Sequence, residues 1–184
     1  MFVAVELSDS GRAAVSHVQQ QVVRELGGSR GLRLVKPEQQ HLTLVFIGEV
    51  AEDRSARIVQ VMMEAIPLAP FRITCRQIDA FPPRGAPRVL ILAAGEGAEL
   101  AAGLQEYVAD RLANEGVPRE HRPFRPHLTL GRWRESRPSD RPSSAMRPLG
   151  AVEVDVDHVT LFQSRLSPAG PSYTRLATAR LICP

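Results

Sequence analysis

The sequence contains the tetrapeptide His-Leu-Thr-Leu twice, at residues 41–44 and again at 127–130. Successive side chains of a β-strand point to opposite faces, so the histidine and threonine of each copy share one face and the two leucines share the other. The copies stand at comparable points in the two halves of the chain, as expected for a duplicated unit. We therefore predict two strands, each with a buried leucine side and with a histidine and a threonine facing a shared cleft.

Apolar periodicity divides the rest of the chain into helices and strands. Helices are predicted at about 9–26, 52–66 and 98–115, and Ser8 or Asp9 can cap the first of them. Strands are predicted at 2–7, 31–36, 41–48, 71–81, 88–94, 127–133, 151–162 and 172–182. Hairpin-like strand pairs mixed with helices favour the α+β class over a doubly wound parallel sheet. Residues 134–149 show no periodicity and are predicted to form a mobile surface loop.

Composition sets limits on the class of protein. A chain of 184 residues that is 43% hydrophobic can form one domain, 1–184, with a sizeable core. No apolar run approaches the roughly 18 residues of a membrane span, and the apolar start is too short for a signal peptide. Cys75 and Cys183 have no metal-binding spacing and are interpreted as free thiols. We expect a cytoplasmic monomer without a membrane partner.

The positive charge is almost entirely arginine, with Lys36 as the only lysine. Arginine side chains suit phosphate oxygens, but a GC-rich genome also encodes arginine freely. A net charge of +3 does not by itself indicate a long polynucleotide groove.

Two imidazoles and two hydroxyls in one cleft fit phosphoryl chemistry without a metal. A neutral imidazole can act as general base toward water, and an imidazolium can protonate the departing oxygen. Histidine titrates near neutrality, so both forms are available at pH 7. Threonine hydroxyls can donate hydrogen bonds to the non-bridging phosphate oxygens. This set predicts a bell-shaped pH dependence and activity in the presence of a chelator.

The alternative is a pair of unrelated strands with surface histidines. A chance repeat of this kind is expected about twice in a thousand such sequences, so a functional pair is favoured. The other histidines, His17, His121 and His158, are each interpreted as surface residues. The sequence contains neither a metal-ligand pattern nor a dinucleotide or P-loop pattern, so no metal and no cofactor is predicted.

The flanking residues carry a resemblance to a known family. The segments LVKPEQQHLTLVFIGEV and RPFRPHLTLGR resemble the two signature motifs of the two-histidine phosphoesterases. The opening MFVAVEL, the central FPPRGAPRVLIL and the late VTLFQSRLSPAGPSYTRL also fall where similar stretches occur in the bacterial and archaeal RNA 2′,3′-cyclic phosphodiesterases. That family was once called 2′-5′ RNA ligases. The resemblance covers essentially the whole chain.

The resemblance implies a fold, an activity and a set of roles. The fold would be two similar lobes, each an antiparallel sheet with helices on its outer face, related by a pseudo-two-fold axis around a central cleft. The activity would be metal-independent hydrolysis of an RNA or nucleotide 2′,3′-cyclic phosphate to a 2′-phosphomonoester. His41 would be the proton donor and His127 the proton acceptor. Thr43 and Thr129 would bind the phosphate.

The resemblance assigns two further residues, which strict alternation places on the wrong face. Phe46 would stack on the nucleobase, and Arg132 would lie near the phosphate. Counting along each strand, however, puts both residues with the leucines, where Phe46 would fill the core and Arg132 would be a solvated strand end. Either the strands bulge after the fourth residue of each motif, or both side chains act from the rim of the cleft.

Other functions remain open at this point. The same catalytic set would serve another cyclic phosphate, such as an ADP-ribose derivative, or the reverse 2′-5′ ligation of RNA. A non-catalytic RNA-binding module that kept the cleft is a further alternative. Comparing turnover of RNA ends with turnover of an ADP-ribose cyclic phosphate would separate the enzymatic alternatives. RNA binding that is unchanged by substitution of both motif histidines with alanine, together with no turnover, would support the binding module.

Overall fold

The computed structural model describes residues 1–28, 31–143, 146–148, 150–167 and 170–183. Three helices are present in these residues, α1 (Asp9–Glu25), α2 (Glu52–Val61) and α3 (Ala98–Ala113). The strands are β1 (Phe2–Glu6), β2 (Leu32–Leu34), β3 (His41–Phe46), β4 (Phe71–Phe81), β5 (Val89–Ala94), β6 (His127–Trp133), β7 (Val152–Val156), β8 (His158–Ser167) and β9 (Gly170–Arg180). The fold is α+β, as predicted.

The strands form a sheet in the order β7-β4-β5-β6-β3-β1-β8-β9, and β2 pairs with β6. The named strand pairs are all antiparallel. The motif strands β3 and β6 meet at the centre through a single pair, Leu42 opposite Leu128. In this order four strands lie on each side of a narrow junction, and β2 is a ninth strand beside β6. This matched order favours the predicted two-fold relation between the lobes, which stays a prediction.

Each motif strand bulges at the fourth residue of its tetrapeptide. On β1, Val3 pairs with Val45 while Ala4 pairs with Thr43, so Leu44 has no partner. On β5, Leu90 pairs with Gly131 while Ile91 pairs with Thr129, so Leu130 likewise has no partner on β5. An extra residue in one strand reverses the alternation of every residue that follows it. The bulge is thus the first of the two alternatives left open by the sequence.

Helices cover the leucine side of the sheet. Leu42, Leu44, Leu128 and Leu130 are buried in one hydrophobic cluster, which also includes helical residues such as Val15, Ile58 and Leu104. α1 contacts β7, and α3 contacts both β3 and β4. Because α1 follows β1 and α3 follows β5, each helix packs partly on the other half of the sheet. The helical layer therefore holds the two halves together and leaves the opposite face open.

Local details differ from the sequence prediction at three places. The second helix ends at Val61 rather than near 66, because Ile66 leaves the helix and forms a parallel bridge with Leu181. The predicted strand 151–162 is two strands, since β7 pairs with β4 while β8 pairs with β1 and β9. Leu100, predicted on the apolar side of α3, is 57% exposed.

The predicted loop 134–149 is partly described. Its described residues include a 3-10 turn at Pro138–Asp140, and the Arg141 guanidinium donates to the carbonyl oxygens of Ala80, Pro82 and Gly85. Residues 144, 145 and 149 lie outside the described residues, and the mobility of the loop stays a prediction. No helix among the described residues has the length and apolarity needed to span a membrane.

The bulged strand β6 allows a direct test of packing at Gly131. A Cβ at this position would lie 2.9 Å from Leu32 Cδ1 and 3.0 Å from the Arg33 carbonyl oxygen. Gly131→Ala should therefore lower the free energy of unfolding by about 1–3 kcal/mol through overpacking. The matched control is Gly103→Ala, in the exposed middle of α3, where a Cβ meets nothing within 4 Å and helix propensity should raise stability by about 0.5–1 kcal/mol. Equal urea midpoints for the two variants would contradict this packing.

Candidate active site

The register of the strands places both motif histidines on one open face. Residues directly opposite each other in an antiparallel pair lie on the same face. His41 is opposite Glu6, and His127 is opposite Ala93. With Leu42 opposite Leu128 at the junction, the two histidines are diagonal neighbours, a relation that brings Cβ atoms within roughly 7–8 Å of each other in a regular pair.

Both imidazoles are held in the same way. His41 Nδ1 lies 2.8 Å from the carbonyl oxygen of Gln39, and His127 Nδ1 lies 2.7 Å from the carbonyl oxygen of Arg125. A carbonyl oxygen can only accept, so each Nδ1 carries a proton and donates it. In the neutral tautomer Nε2 is then an unprotonated acceptor. In each histidine, Nε2 is therefore available to accept a hydrogen bond from a ligand.

Burial makes both histidines less basic. It lowers the pKa of His41 to about 4, aided by the charges of Arg132 and His127 and opposed by the hydrogen bond to Gln39 and the charge of Glu6. Burial likewise lowers the pKa of His127, again with a contribution from Arg132. Both imidazoles are thus neutral at pH 7 in the ligand-free protein. The effect of the His127 charge on the pKa of His41 also indicates that the two rings are near one another.

The two threonines share the face of the histidines. Thr43 is opposite Ala4, and Thr129 is opposite Ile91. Both threonines are half-buried. The antiparallel register at the junction brings Thr129 alongside His41 and Thr43 alongside His127. Each imidazole therefore has a hydroxyl of the other strand beside it, and the four predicted residues meet at the centre of the sheet.

The bulge in β3 moves Phe46 onto this face. Phe46 is opposite Phe2, and the two ring centroids are 6.3 Å apart. Phe2 in turn lies 4.8 Å from the His41 ring. Phe46 is 67% exposed, so the simple alternation that placed it in the core is wrong for this strand. An exposed aromatic side chain on the open face is free to contact a ligand.

The bulge in β6 moves Arg132 onto the open face. Arg132 is opposite Val89, in the row on β5 that also contains Ile91 and Ala93. Its charge adds to the effect of burial in lowering the pKa of His41 and His127, and it opposes the burial that raises the pKa of Tyr173. Arg132 is therefore close to both imidazoles and is not a strand end remote from the site. Phe46 and Arg132 each stand five residues after their histidine, so one structural cause accounts for both.

Several neighbours of His41 were not predicted from the sequence. Tyr173 packs edge-on against the His41 ring at 5.4 Å, and Phe162 stacks on Phe2 at 5.2 Å. The Glu6 carboxylate accepts from Arg175 at 2.7 Å and from the Thr160 hydroxyl at 2.9 Å. The alternation of β1 could have placed Phe2 and Glu6 on one face, but nothing in one sequence indicates which strand pairs with β3.

An open pocket of about 430 Å³ adjoins His41 on its β9 side. Its walls include Glu6, Arg12, Tyr173 and Arg175. On the other lobe, Phe81 packs edge-on against His127 at 5.3 Å, and Arg125 lies over the Phe81 ring at 5.2 Å. Each catalytic candidate is thus flanked by an aromatic side chain that limits its contact with water.

The other histidines and both cysteines lie outside the two motif strands. His17 and His121 are exposed, in agreement with their predicted surface positions. His158 Nδ1 pairs with Asp157 at 2.6 Å, and its Nε2 lies 3.9 Å from Glu6. Cys75 is buried, which raises the pKa of its thiol to about 12. In the part of the chain that the structure describes, no three histidine, cysteine or acidic side chains are grouped as metal ligands.

Comparison with known proteins identifies the family. The family model described as the 2'-5' RNA ligase superfamily matches residues 5–167. The chain belongs to this superfamily. It is 36% identical over 179 residues to the RNA 2′,3′-cyclic phosphodiesterase of Archaeoglobus fulgidus, covering 96% of this chain and 97% of the relative. It is 37% identical over 181 residues to the protein of the same name in Thermus thermophilus, covering 96% and 87%. The predicted resemblance is confirmed.

Solved structures agree with the fold. The chain is similar to TT0787 of Thermus thermophilus, with a TM-score of 0.72, 35% identity and coverage of 97% of this chain and 96% of the other. It is also similar to Escherichia coli LigT complexed with 3′-AMP, with a TM-score of 0.78, 23% identity and coverage of 98% and 96%. At that identity the second likeness supports the fold alone.

The histidine environments lead to a prediction about proton binding. In NMR titrations of the ligand-free protein, His41 should titrate near pH 4 and His127 below 6.5, each with Nδ1 protonated in the neutral form. The folded pKa of His41 lies below its unfolded value, so the unfolded chain binds the proton first. Stability attributable to His41 is therefore full above about pH 6.5 and declines as the pH falls toward 4.

The urea-unfolded protein serves as the reference, since an unperturbed histidine titrates at about 6.5. The prediction fails if His41 titrates at the same pH in the folded and unfolded protein, because its imidazole would then lack the burial described above.

Proposed function

We propose that the protein hydrolyses RNA 2′,3′-cyclic phosphate ends to 2′-phosphates with the two motif histidines. The observation that carries the proposal is the convergence of His41, Thr43, His127 and Thr129 on one face at the sheet junction. The relatives from Archaeoglobus fulgidus and Thermus thermophilus, which match nearly the whole chain, bear the name of this activity. RNA with cyclic phosphate ends is accordingly the proposed substrate class.

The phosphorus atom would lie between the two imidazoles. Nε2 of His127 accepts a proton from water as its oxygen bonds to phosphorus. Nε2 of His41 donates a proton to the 3′-oxygen as the bond between phosphorus and that oxygen breaks. Water is consumed, the 2′-ester bond remains, and the product is a 2′-phosphomonoester. Each proton transfer supplies roughly 10²–10⁴ in rate.

The acid role of His41 requires a proton that the resting site does not hold. Burial keeps this imidazole neutral at pH 7, whereas the donor must be an imidazolium. The anionic phosphate supplies the missing stabilisation, because a negative charge within a few ångströms raises the pKa of a histidine. Binding of the cyclic phosphate and protonation of His41 are therefore coupled in this mechanism. In the empty site His41 is neutral, so no imidazolium is buried without an anion.

The other side chains would bind and orient the substrate. Hydroxyls of Thr43 and Thr129 donate to the non-bridging oxygens, where negative charge is concentrated in the transition state. Arg132 adds a guanidinium on the same face. Phe46 offers an exposed ring, on which any nucleobase can stack. This division of roles places the phosphate at the junction and the base toward the far end of β3.

The histidine variants test the proposal on a short RNA with a 2′,3′-cyclic phosphate end. His41→Ala and His127→Ala should each lower kcat by about 10²–10⁴, in line with the loss of one proton transfer. His17→Ala, on the exposed side of α1, is the control and should match the wild type. The wild-type product should carry a 2′-phosphate, and turnover should persist in excess EDTA.

Full activity in both His41→Ala and His127→Ala would exclude the two-histidine mechanism. A 3′-phosphate product would mean that the bond to the 2′-oxygen breaks, and the assignment of roles would then be wrong.

A further inference from the structure

The cleft face contains a second arginine beside Arg132. β2 pairs with β6 in a register that sets Arg33 directly opposite Arg132. The flanking pair, Leu32 opposite Trp133, is buried, whereas both arginines are exposed. Since opposite residues share a face, Arg33 lies on the same side of the sheet as Arg132 and the motif histidines.

This pair is unfavourable for the fold by itself. Like charges directly opposite each other in a sheet are destabilising. Among the residues that the structure describes, neither Arg33 nor Arg132 has a carboxylate within ion-pair distance. The chain pairs other arginines: Arg72 sits directly opposite Asp155 and bonds it at 2.7 Å. Among the strand pairs that the structure describes, Arg33 and Arg132 are the one case of two arginines directly opposite each other.

The position of Arg33 is fixed by the backbone. Along β6, β3 pairs only at Leu128, and β2 pairs with the later residues Gly131 to Trp133. Its end is held by hydrogen bonds from Val35 N to the Leu130 carbonyl at 3.0 Å and from Arg134 N to the Gly31 carbonyl at 3.0 Å. Arg33 thus lies next to Arg132 on a paired strand, and its long side chain can reach beyond the reacting phosphate.

We propose that Arg33 forms, with Arg132, a second phosphate subsite that binds the phosphodiester one nucleotide upstream of the cyclic phosphate. The proposal rests on the hydrolytic function proposed above and specifies its substrate class. Neighbouring strands are about 4.8 Å apart, so two guanidinium groups on adjacent strands can contact consecutive phosphates of one RNA chain. A cyclic mononucleotide lacks the upstream phosphodiester and cannot use Arg33. The site therefore favours an RNA end over a free cyclic nucleotide.

Two substrates with the same terminal nucleotide test this subsite. One is a cyclic mononucleotide, and the other is a hexanucleotide RNA that ends in the same 2′,3′-cyclic phosphate. For Arg33→Gln, the ratio of kcat/KM on the RNA to kcat/KM on the mononucleotide should fall about tenfold, as expected for a lost charge-assisted phosphate contact. The salt dependence of log kcat/KM on the RNA should weaken by about 0.7 per contact removed.

Two further variants control for charge and folding. Arg24→Gln removes the same charge from an exposed position on α1, behind the helical layer, and should keep the wild-type ratio. Arg33→Lys keeps the charge without the planar fork and should retain part of the preference for RNA.

An equal loss on both substrates in Arg33→Gln would overturn the subsite, because Arg33 would then act on the reacting phosphate or on the fold. An unchanged ratio would also overturn it while leaving the hydrolytic function intact. Wild-type protein that turns over neither substrate would refute the hydrolytic function itself, and the subsite with it.

Discussion

The site depends on two equivalent β-bulges, one at Leu44 and one at Leu130. Before each bulge, alternation puts a histidine and a threonine on the open face and leucines in the core. After it, the alternation is reversed, so the residue five positions beyond each histidine also faces the cleft. One irregularity per strand thus places three candidate side chains per strand on the open face without exposing the leucines, which remain buried. In a regular strand, either Phe46 and Arg132 would point into the core or the leucines would point to the open face.

The electrostatics of the cleft suit an anionic substrate. Both imidazoles donate Nδ1–H to a backbone carbonyl and are neutral when the site is empty, because burial penalises the charged form. The permanent positive charge is supplied by arginine, which does not release its proton. A bound phosphate would offset the repulsion between Arg33 and Arg132 and would raise the pKa of the histidine that must be protonated. The negative charge of the substrate would therefore stabilise a group of side chains whose mutual repulsion is unfavourable in the empty protein.

The sequence predicted which residues of the motif strands share a face better than it predicted which strands pair. The repeated tetrapeptide identified four of the central residues because strand alternation is a local property. Phe46 and Arg132 could be assigned only by family resemblance, since a bulge depends on the partner strand and leaves no local mark. The positions of Arg33, Glu6 and Tyr173 beside the candidate site could not be predicted for the same reason, because they arise from the pairing of β2, β1 and β9, which are distant in sequence. The break at Asp157, where β7 ends and β8 joins the other half of the sheet, was likewise hidden by an unbroken alternating pattern.

The central claim is that two strands from opposite halves of the sheet hold one phosphate between them. A crystal structure with the 2′-phosphate product, or with a vanadate mimic of the transition state, tests it most directly. We expect Nε2 of His41, Nε2 of His127 and the hydroxyls of Thr43 and Thr129 all to contact the same group, within about 2.6–3.2 Å. A ligand bound by the residues of only one motif strand, with the other histidine more than one water molecule away, would contradict it.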